Sequence, residues 1–460
     1  MIKKKKICAF AALLLFAAVQ VAVVGGASAD EGGASIAQNP ASPGQSATGV
    51  QATPGPTLLT LSLCIETALK KNPNIIASGY TVDVNRSRVG EARSGYYPQL
   101  SASAAYTRIN PVPISPATPN TSQSFEQYSS SVTLNQNILD FGKTSSQVDV
   151  SKYNLEASRS DMEATQDAVI LNVKQAYYGV LQARRNRDVA ADVIKQFQLH
   201  LDQAKGFYDV GTKARIDVIK AEVDLSNAKL SLINAENAFK ISWITLKNVM
   251  GVPDAPEHTY TIEDKLSFQQ YTITQEEAIA RAFENRPDFK SIAAKRQAAE
   301  TNISLARSGY YPVLSGNASY NWSAEDHASP LAEGWSAGVV LTVPLFNGFL
   351  TSHQVAEAKS SLYVLKANEE ALRQQIQFEV RQAFLNLQAA EASIATAELA
   401  AQQAKENMDL ANGRYAAGVG SPVEVSDAFA TYVAAQANHT GALSNYKIAQ
   451  ANIEKAMGAR

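Results

Sequence analysis

The feature that most restricts how this chain can fold is a seven-residue stretch that occurs twice. Ala92-Arg93-Ser94-Gly95-Tyr96-Tyr97-Pro98 recurs residue for residue as Ala306-Arg307-Ser308-Gly309-Tyr310-Tyr311-Pro312, 214 positions later. At the same offset Pro73 matches Pro287, Leu100 matches Leu314 and Tyr106 matches Tyr320. Beyond position 130 the offset becomes 207. Leu134 then aligns with Leu341, Val173-Lys174-Gln175-Ala176-Tyr177 with Val380-Arg381-Gln382-Ala383-Phe384, Tyr208 with Tyr415, Gly211 with Gly418, and Met250-Gly251 with Met457-Gly458. The chain is internally duplicated, so any supersecondary unit formed by one half has to be available to the other. The change of offset puts an insertion in the first copy between about 107 and 130, where Pro111, Pro113, Pro116 and Pro119 mark a loop.

Each copy reads as short helix, helix, two strands, very long helix, long helix. In the first, a helix near 61 to 71 stops before Pro73 and a second, about 74 to 95, stops at Gly95 and Pro98. Strands are expected at about 99–109 and 125–138, then at about 313–323 and 334–345. The second copy shows them best: Leu314, Gly316, Ala318, Tyr320 and Trp322 alternate with Ser315, Asn317, Ser319 and Asn321, and Trp335, Ala337, Val339, Leu341 and Val343 continue the pattern. Long helices are expected at about 142–209 and 214–250, and at about 350–412 and 421–457. From Gly142 to Asp209 there is no proline, and Val148, Leu155, Met162, Val169 and Ala176 recur every seven residues. At 1.5 Å per residue such a helix is about 100 Å long. The duplication therefore divides the chain into repeats at 58–251 and 272–460, joined by a linker at 252–271 that holds Pro253 and Pro256.

Ahead of the repeats, Lys3 to Lys6, an apolar run from Ile7 to about Val24 and the small residues Ala27-Ser28-Ala29 have the form of a secretory signal peptide over 1–29. Residues 30–57 are Gly, Ala, Pro, Ser, Gln and Thr with almost nothing large to bury, and read as a flexible leader. Beyond them no window holds the continuous apolar residues of a membrane helix. A membrane role has to come from strands, and strands of about 10 residues with aromatics near their ends suit a barrel. Two hairpins per chain are too few to close one, and open sheet edges are not tolerated in hydrocarbon, so closure requires other copies of the chain.

These residues resemble the TolC-like outer membrane efflux protein family, the outer membrane factors of tripartite export systems, over about residues 58 to 458. The resemblance is carried by the duplicated Ala-Arg-Ser-Gly-Tyr-Tyr-Pro stretches and by the strand exits Asn137-Ile138-Leu139-Asp140-Phe141-Gly142 and Pro344-Leu345-Phe346-Asn347-Gly348. The hairpin segments Phe207-Tyr208-Asp209-Val210-Gly211-Thr212 and Arg414-Tyr415-Ala416-Ala417-Gly418 complete it. It implies a mostly α fold with a membrane β-barrel contribution: a homotrimer whose twelve strands, four per chain, form one barrel above a long periplasmic α-helical cylinder. It also implies a passive exit duct of a tripartite efflux or type I secretion system, in the outer membrane of a Gram-negative-type cell and extending into the periplasm. Its partners would be a periplasmic adaptor, an inner-membrane transporter and outer-membrane lipid. The Pro-rich insertion and the loop from Glu325 to Glu333 would then face outside, the linker would lie at mid-height, and Gly211 and Gly418 would turn at the periplasmic tip.

No catalytic constellation stands against this reading. His200, His258, His327, His353 and His439 fall on separate elements without metal-ligand spacing, and there is no phosphate loop, HExxH or Gly-x-Ser-x-Gly. No enzyme activity, cofactor or metal is expected. With 41 Lys plus Arg against 43 Asp plus Glu, the chain has no basic excess for nucleic acid. The resemblance does assign a constriction, at Tyr415, Glu424 and Asp427, but this sequence holds Gly420 where the family pattern has an arginine. An arginine restored by Gly420→Arg is expected to lower open probability if it can reach an acid. From spacing alone, Glu424 and Asp427 are i and i+3 on one helical face. Tyr208, Lys213 and Asp217 occupy the corresponding places in the first copy, and Gly211, Thr212, Gly418 and Val419 are candidate tip contacts. Two other classes fit less well. A trimeric surface adhesin or structural protein leaves the two separated hairpins unexplained, and a soluble periplasmic adaptor needs a flanking barrel or lipoyl-like domain.

Overall fold

In both copies the repeated heptapeptide is the corner between a helix and a strand. The computed structural model describes residues 57–110, 124–254, 260–325 and 329–459. The expected signal peptide, the leader up to residue 56, the proline-rich insertion over 111–123, linker residues 255–259 and loop residues 326–328 lie outside the described residues. The first copy contains β1 (Thr57–Leu59), α1 (Leu61–Lys71), α2 (Pro73–Arg93), β2 (Gln99–Ile109), β3 (Phe125–Leu139), α3 (Lys143–Asp209) and α4 (Arg215–Val249). After β4 (Tyr260–Ile262), the second contains α5 (Gln275–Asn285), α6 (Pro287–Arg307), β5 (Val313–Ala324), β6 (Ala332–Thr342), α7 (Leu350–Ala416) and α8 (Pro422–Ala456).

The corners have a common cause. α2 and α6 each run into one 3-10 turn, Ser94–Tyr96 and Ser308–Tyr310, and the proline that follows holds Tyr97 and Tyr311 in extended backbone. A side chain at Gly95 would stand 3.1 Å from Thr144 Cγ2, and one at Gly309 would stand 3.0 Å from Thr351 Cγ2. The glycine is therefore where the first turn of α3 or α7 packs against the corner. Those helices begin after two consecutive left-handed residues, Phe141-Gly142 and Gly348-Phe349. Asp140 accepts hydrogen bonds from Gly142 and Thr144 N–H, and Asn347 Nδ2 donates to Thr351 Oγ1 at 2.5 Å.

The four long strands form one antiparallel sheet in the order β2-β3-β5-β6, with the two copies joined through β3 and β5. Register places Tyr106 opposite Tyr128, Leu100 opposite Leu134, Val132 opposite Tyr320, and Tyr320 opposite Trp335. One face thus collects Leu100, Tyr106, Tyr128, Leu134, Tyr320, Trp322, Trp335, Val339 and Leu341. The other carries serines whose hydroxyls meet across strands, Ser103 with Ser131 at 2.8 Å and Ser319 with Ser336 at 2.9 Å. The apolar face has no cover among the described residues: Trp335 is 76% exposed and Leu341 60%. β2 and β6 are edges without a partner among the described residues. Below the sheet, Tyr96, Tyr97, Phe141, Tyr310, Tyr311, Phe346 and Phe349 make an exposed aromatic band. No described helix is long and apolar enough to cross a membrane.

α3 and α7 each have 67 residues, about 100 Å at 1.5 Å per residue. α2 and α4 both pack on α3, and α6 and α8 both pack on α7. Within each pair the short helices meet end to end. Asn72 Nδ2 donates to the Val249 carbonyl at 2.8 Å, and Arg286 Nη1 to the Ala456 carbonyl at 3.4 Å. A Cβ at Gly251 would be 2.5 Å from the Lys71 carbonyl oxygen, and one at Gly458 would be 2.8 Å from Arg286 N. Both glycines also have positive φ, so the repeated Met-Gly pairs end a helix where another begins.

The linker is strapped to this junction. β4 pairs in parallel with β1. Tyr177 Oη donates to the Glu263 carbonyl at 2.8 Å, and Arg185 bonds Asp264 at 2.8 Å. Tyr446 Oη donates to the Gln269 carbonyl at 2.7 Å and accepts from Tyr271 N–H at 3.0 Å. The largest apolar cluster, including Cys64, Val173, Leu181, Leu246, Ile376 and Ile453, lies beneath.

Candidate functional site

The far ends of the long helices turn back through two loops of matching geometry. In the first, Gly211 has φ +75°, its N–H bonds the Tyr208 carbonyl at 2.9 Å, and Thr212 N–H bonds the Phe207 carbonyl at 2.9 Å. In the second, Gly418 has φ +79°, its N–H bonds the Tyr415 carbonyl at 2.9 Å, and Val419 N–H bonds the Arg414 carbonyl at 3.1 Å. These bonds satisfy the last carbonyls of α3 and α7, and the left-handed position selects glycine. α8 restarts from Ser421, whose hydroxyl accepts from Glu424 N–H at 3.2 Å, with Pro422 at its first position.

Behind the loops Phe197, Leu201, Leu225, Met408, Val425 and Phe429 join α3, α4, α7 and α8 in one cluster. Tyr415 sits inside it and is fully buried. Its ring lies 4.4 Å from that of His200 and 5.8 Å from that of Phe207, and Lys213 Nζ is 5.7 Å from its centroid. Burial pushes the Tyr415 hydroxyl up, with the nearby Asp217 carboxylate adding to the shift. Burial pushes the His200 imidazole down, against the pull of Asp224 on α4, so it packs as a neutral ring.

The structure separates the three residues expected at the constriction. Tyr415 faces the helix core, whereas Glu424 and Asp427 share the exposed face of α8. Lys213 is drawn inward, its Nζ 3.4 Å from the Gly420 carbonyl, and so ties the first turn to the second. Asp217 is half-buried, whereas Tyr208, Thr212 and Val419 are exposed, and with Val210, Ile216 and Val423 they give the tip an uncovered, largely apolar surface.

Gly420 corrects the expected effect of an arginine at that position. A Cβ there would stand 2.8 Å from Tyr415 N and 3.0 Å from the Arg414 carbonyl carbon, both backbone atoms, while Gly420 N–H bonds the Arg414 carbonyl at 2.9 Å. Glycine is required by close approach. Gly420→Arg is therefore expected to pull the turn off the helix end rather than lock it, with Gly420→Ala acting in the same direction. Limited proteolysis at the tip should rise in both variants; unaltered cleavage in Gly420→Arg would show that the turn accommodates a side chain.

One participant was missed from the sequence. Arg414 Nε lies 3.5 Å from Glu424 Oε2, across the turn. Nothing in linear spacing marks this pair, which forms only because the loop folds α8 back against the end of α7. Among the described residues, no group of His, Cys, Asp and Glu could hold a metal ion.

Comparison with known proteins agrees with this architecture. A family model described as outer membrane efflux protein matches residues 64–252 and 278–459, the two repeats. The chain is 24% identical over 403 residues to the outer membrane protein TolC of Vibrio cholerae, covering 85% of this chain and 89% of that one. A crystal structure of a membrane protein from Pseudomonas aeruginosa superposes with a TM-score of 0.76 at 20% identity, over 86% of this chain and 92% of that one. The Campylobacter jejuni CmeC outer membrane channel does so with a TM-score of 0.74 at 19% identity, over 92% and 95%.

Proposed function

The chain belongs to the outer membrane efflux protein family, and from that premise we propose that three copies close one twelve-stranded barrel and one helical cylinder to form the complete duct. The protein is a non-catalytic outer-membrane exit duct with a periplasmic helical extension. The observation that supports the trimer is the open sheet: among the described residues, four strands, two unpaired edges and an apolar face with no cover. Pairing β6 of one chain with β2 of the next removes every edge, which hydrocarbon requires. The aromatic band beneath the sheet suits the inner lipid–water boundary. Four strands per copy, with the twelve-stranded barrel that the resemblance to the family implies, give three copies.

At the other end, the exposed Val210, Ile216, Val419 and Val423 suit docking of a periplasmic adaptor, which couples the duct to an inner-membrane transporter that supplies the energy. Glu424 and Asp427, on the exposed face of α8, line the narrowest point, and Tyr415 supports them from the core. The test is site-directed cross-linking in whole cells. Val419→Cys should capture a periplasmic protein, and Cys64 needs no replacement, since it is buried and its thiol is pushed up to about 12. Modification of Val419→Cys by reagents confined to the cell exterior would reverse the orientation and end this reading.

A further inference from the structure

We propose that Arg414 sets the charge of the constriction, cancelling Glu424 so that Asp427 alone provides its cation preference. This rests on the reading that Glu424 and Asp427 line the narrowest point. The two acids share a face but not a situation. Glu424 Oε2 lies 3.5 Å from Arg414 Nε, whereas Asp427 has no ion pair among the described residues, and the Thr431 hydroxyl donates to its backbone carbonyl, at 2.8 Å, rather than to its carboxylate. Both members of the Arg414–Glu424 pair are about half exposed, so the contact adds little stability. Its consequence is electrostatic: a permeating ion meets one net negative charge per chain rather than two.

The duplication sharpens the point. At the 207-residue offset Phe207 stands where Arg414 does, Asp217 where Glu424 does and Lys220 where Asp427 does. Lys220 Nζ lies 3.4 Å from Asp224, within its own helix. The first copy thus has one acid and one base at the two equivalent positions, and only the second has an acid at the later one. Lys213 is held inward against Tyr415 and the Gly420 carbonyl and is not directed at either acid. Gly420 has no space for a cationic side chain. Among the described residues, Arg414 is the cation in contact with one of these two acids, Glu424.

Reversal potentials of the full-length assembly in planar bilayers, under a potassium chloride gradient, test this. The more dilute side should be at or below 0.1 M, where screening leaves interactions within about 10 Å in place. Arg414→Gln should raise the potassium-to-chloride permeability ratio by about twofold or more, and Asp427→Asn should lower it by a similar factor. Glu424→Gln should lower it too, because it leaves Arg414 uncompensated. The decisive variant is Arg414→Gln combined with Glu424→Gln, which removes a neutral pair and should keep the original ratio. If the double variant loses cation preference as Glu424→Gln does, Arg414 does not act on the pore and the inference fails while the constriction reading stands. If Asp427→Asn leaves the ratio unchanged, the constriction reading fails and takes the inference with it.

Discussion

Replacing residues 313–342 with a short glycine-serine linker is expected to abolish outer-membrane assembly, leaving the chain as a periplasmic species that is degraded. β5 is paired with β3 from Tyr128 to Leu139 and with β6 from Val313 to Ser323, so the deletion removes the join between the copies together with one terminal edge. The remaining β2–β3 hairpin would expose a new row of backbone groups, each costing several kcal/mol without water. Fractionation of membranes, followed by heat-dependent mobility on gels, reads the result. A milder form of the experiment changes one side chain: Val339→Arg on the apolar face should cost about 2–4 kcal/mol in membrane-inserted stability if it lies near mid-membrane. A single-hairpin chain that inserted normally would contradict the four-strand assignment.

The second large effect is expected at Arg286, which is 4% exposed. It bonds Asp288 through Nη2 at 2.6 Å and Nε at 3.0 Å, and Glu379 through Nη1 at 2.7 Å, joining the start of α6 to the middle of α7 and the end of α8. Arg286→Ala leaves two partly buried carboxylates without their cation, a change that costs about 3–5 kcal/mol in comparable pairs. Asn72 holds the equivalent place in the first copy with one bond to Val249, and Asn72→Ala should cost only about 1 kcal/mol. Burial lifts both carboxyl groups, but the bonds and charge of Arg286 at Asp288, and at Glu379 a hydrogen bond from Gln375 together with those of Arg286, more than offset it and hold both below the usual carboxylate range. A carboxyl lowered in the folded state contributes stability above its unfolded value of about 4, and that contribution is lost as pH falls through the lowered folded value. Chemical unfolding of the detergent-extracted protein at pH 7 and pH 3 should therefore show a smaller drop on acidification in Arg286→Ala than in the parent. An equal drop would mean that these two carboxylates do not govern acid sensitivity.

The mostly helical character and the four sheet strands were legible because periodicity records them. Heptads from Val148 onward, and the alternation of Trp335, Ala337, Val339 and Leu341, are local statements about one face of one element. The repeated heptapeptide was visible as a repeat, but its reason, a glycine against Thr144 or Thr351, needs two segments brought together. What remained hidden depends on such meetings. The three-residue strands β1 and β4 are too short to carry a pattern and pair across two hundred residues. Tyr415 reads as a residue near a turn, yet packing of α3, α4, α7 and α8 turns its ring into the core. Gly420 reads as a missing arginine, whereas the backbone of Arg414 and Tyr415 leaves it no room. Arg414 meets Glu424 only after the chain has reversed.

The central claim is that one chain supplies a third of a closed duct. Native mass measurement of the full-length protein, extracted from outer membranes in mild detergent, addresses it without mutation or labelling. A single species of three chains, conducting when returned to a bilayer, is the result predicted. A stable single chain that conducts alone would contradict it, because its two free edges, β2 and β6, would then have to close a barrel by themselves.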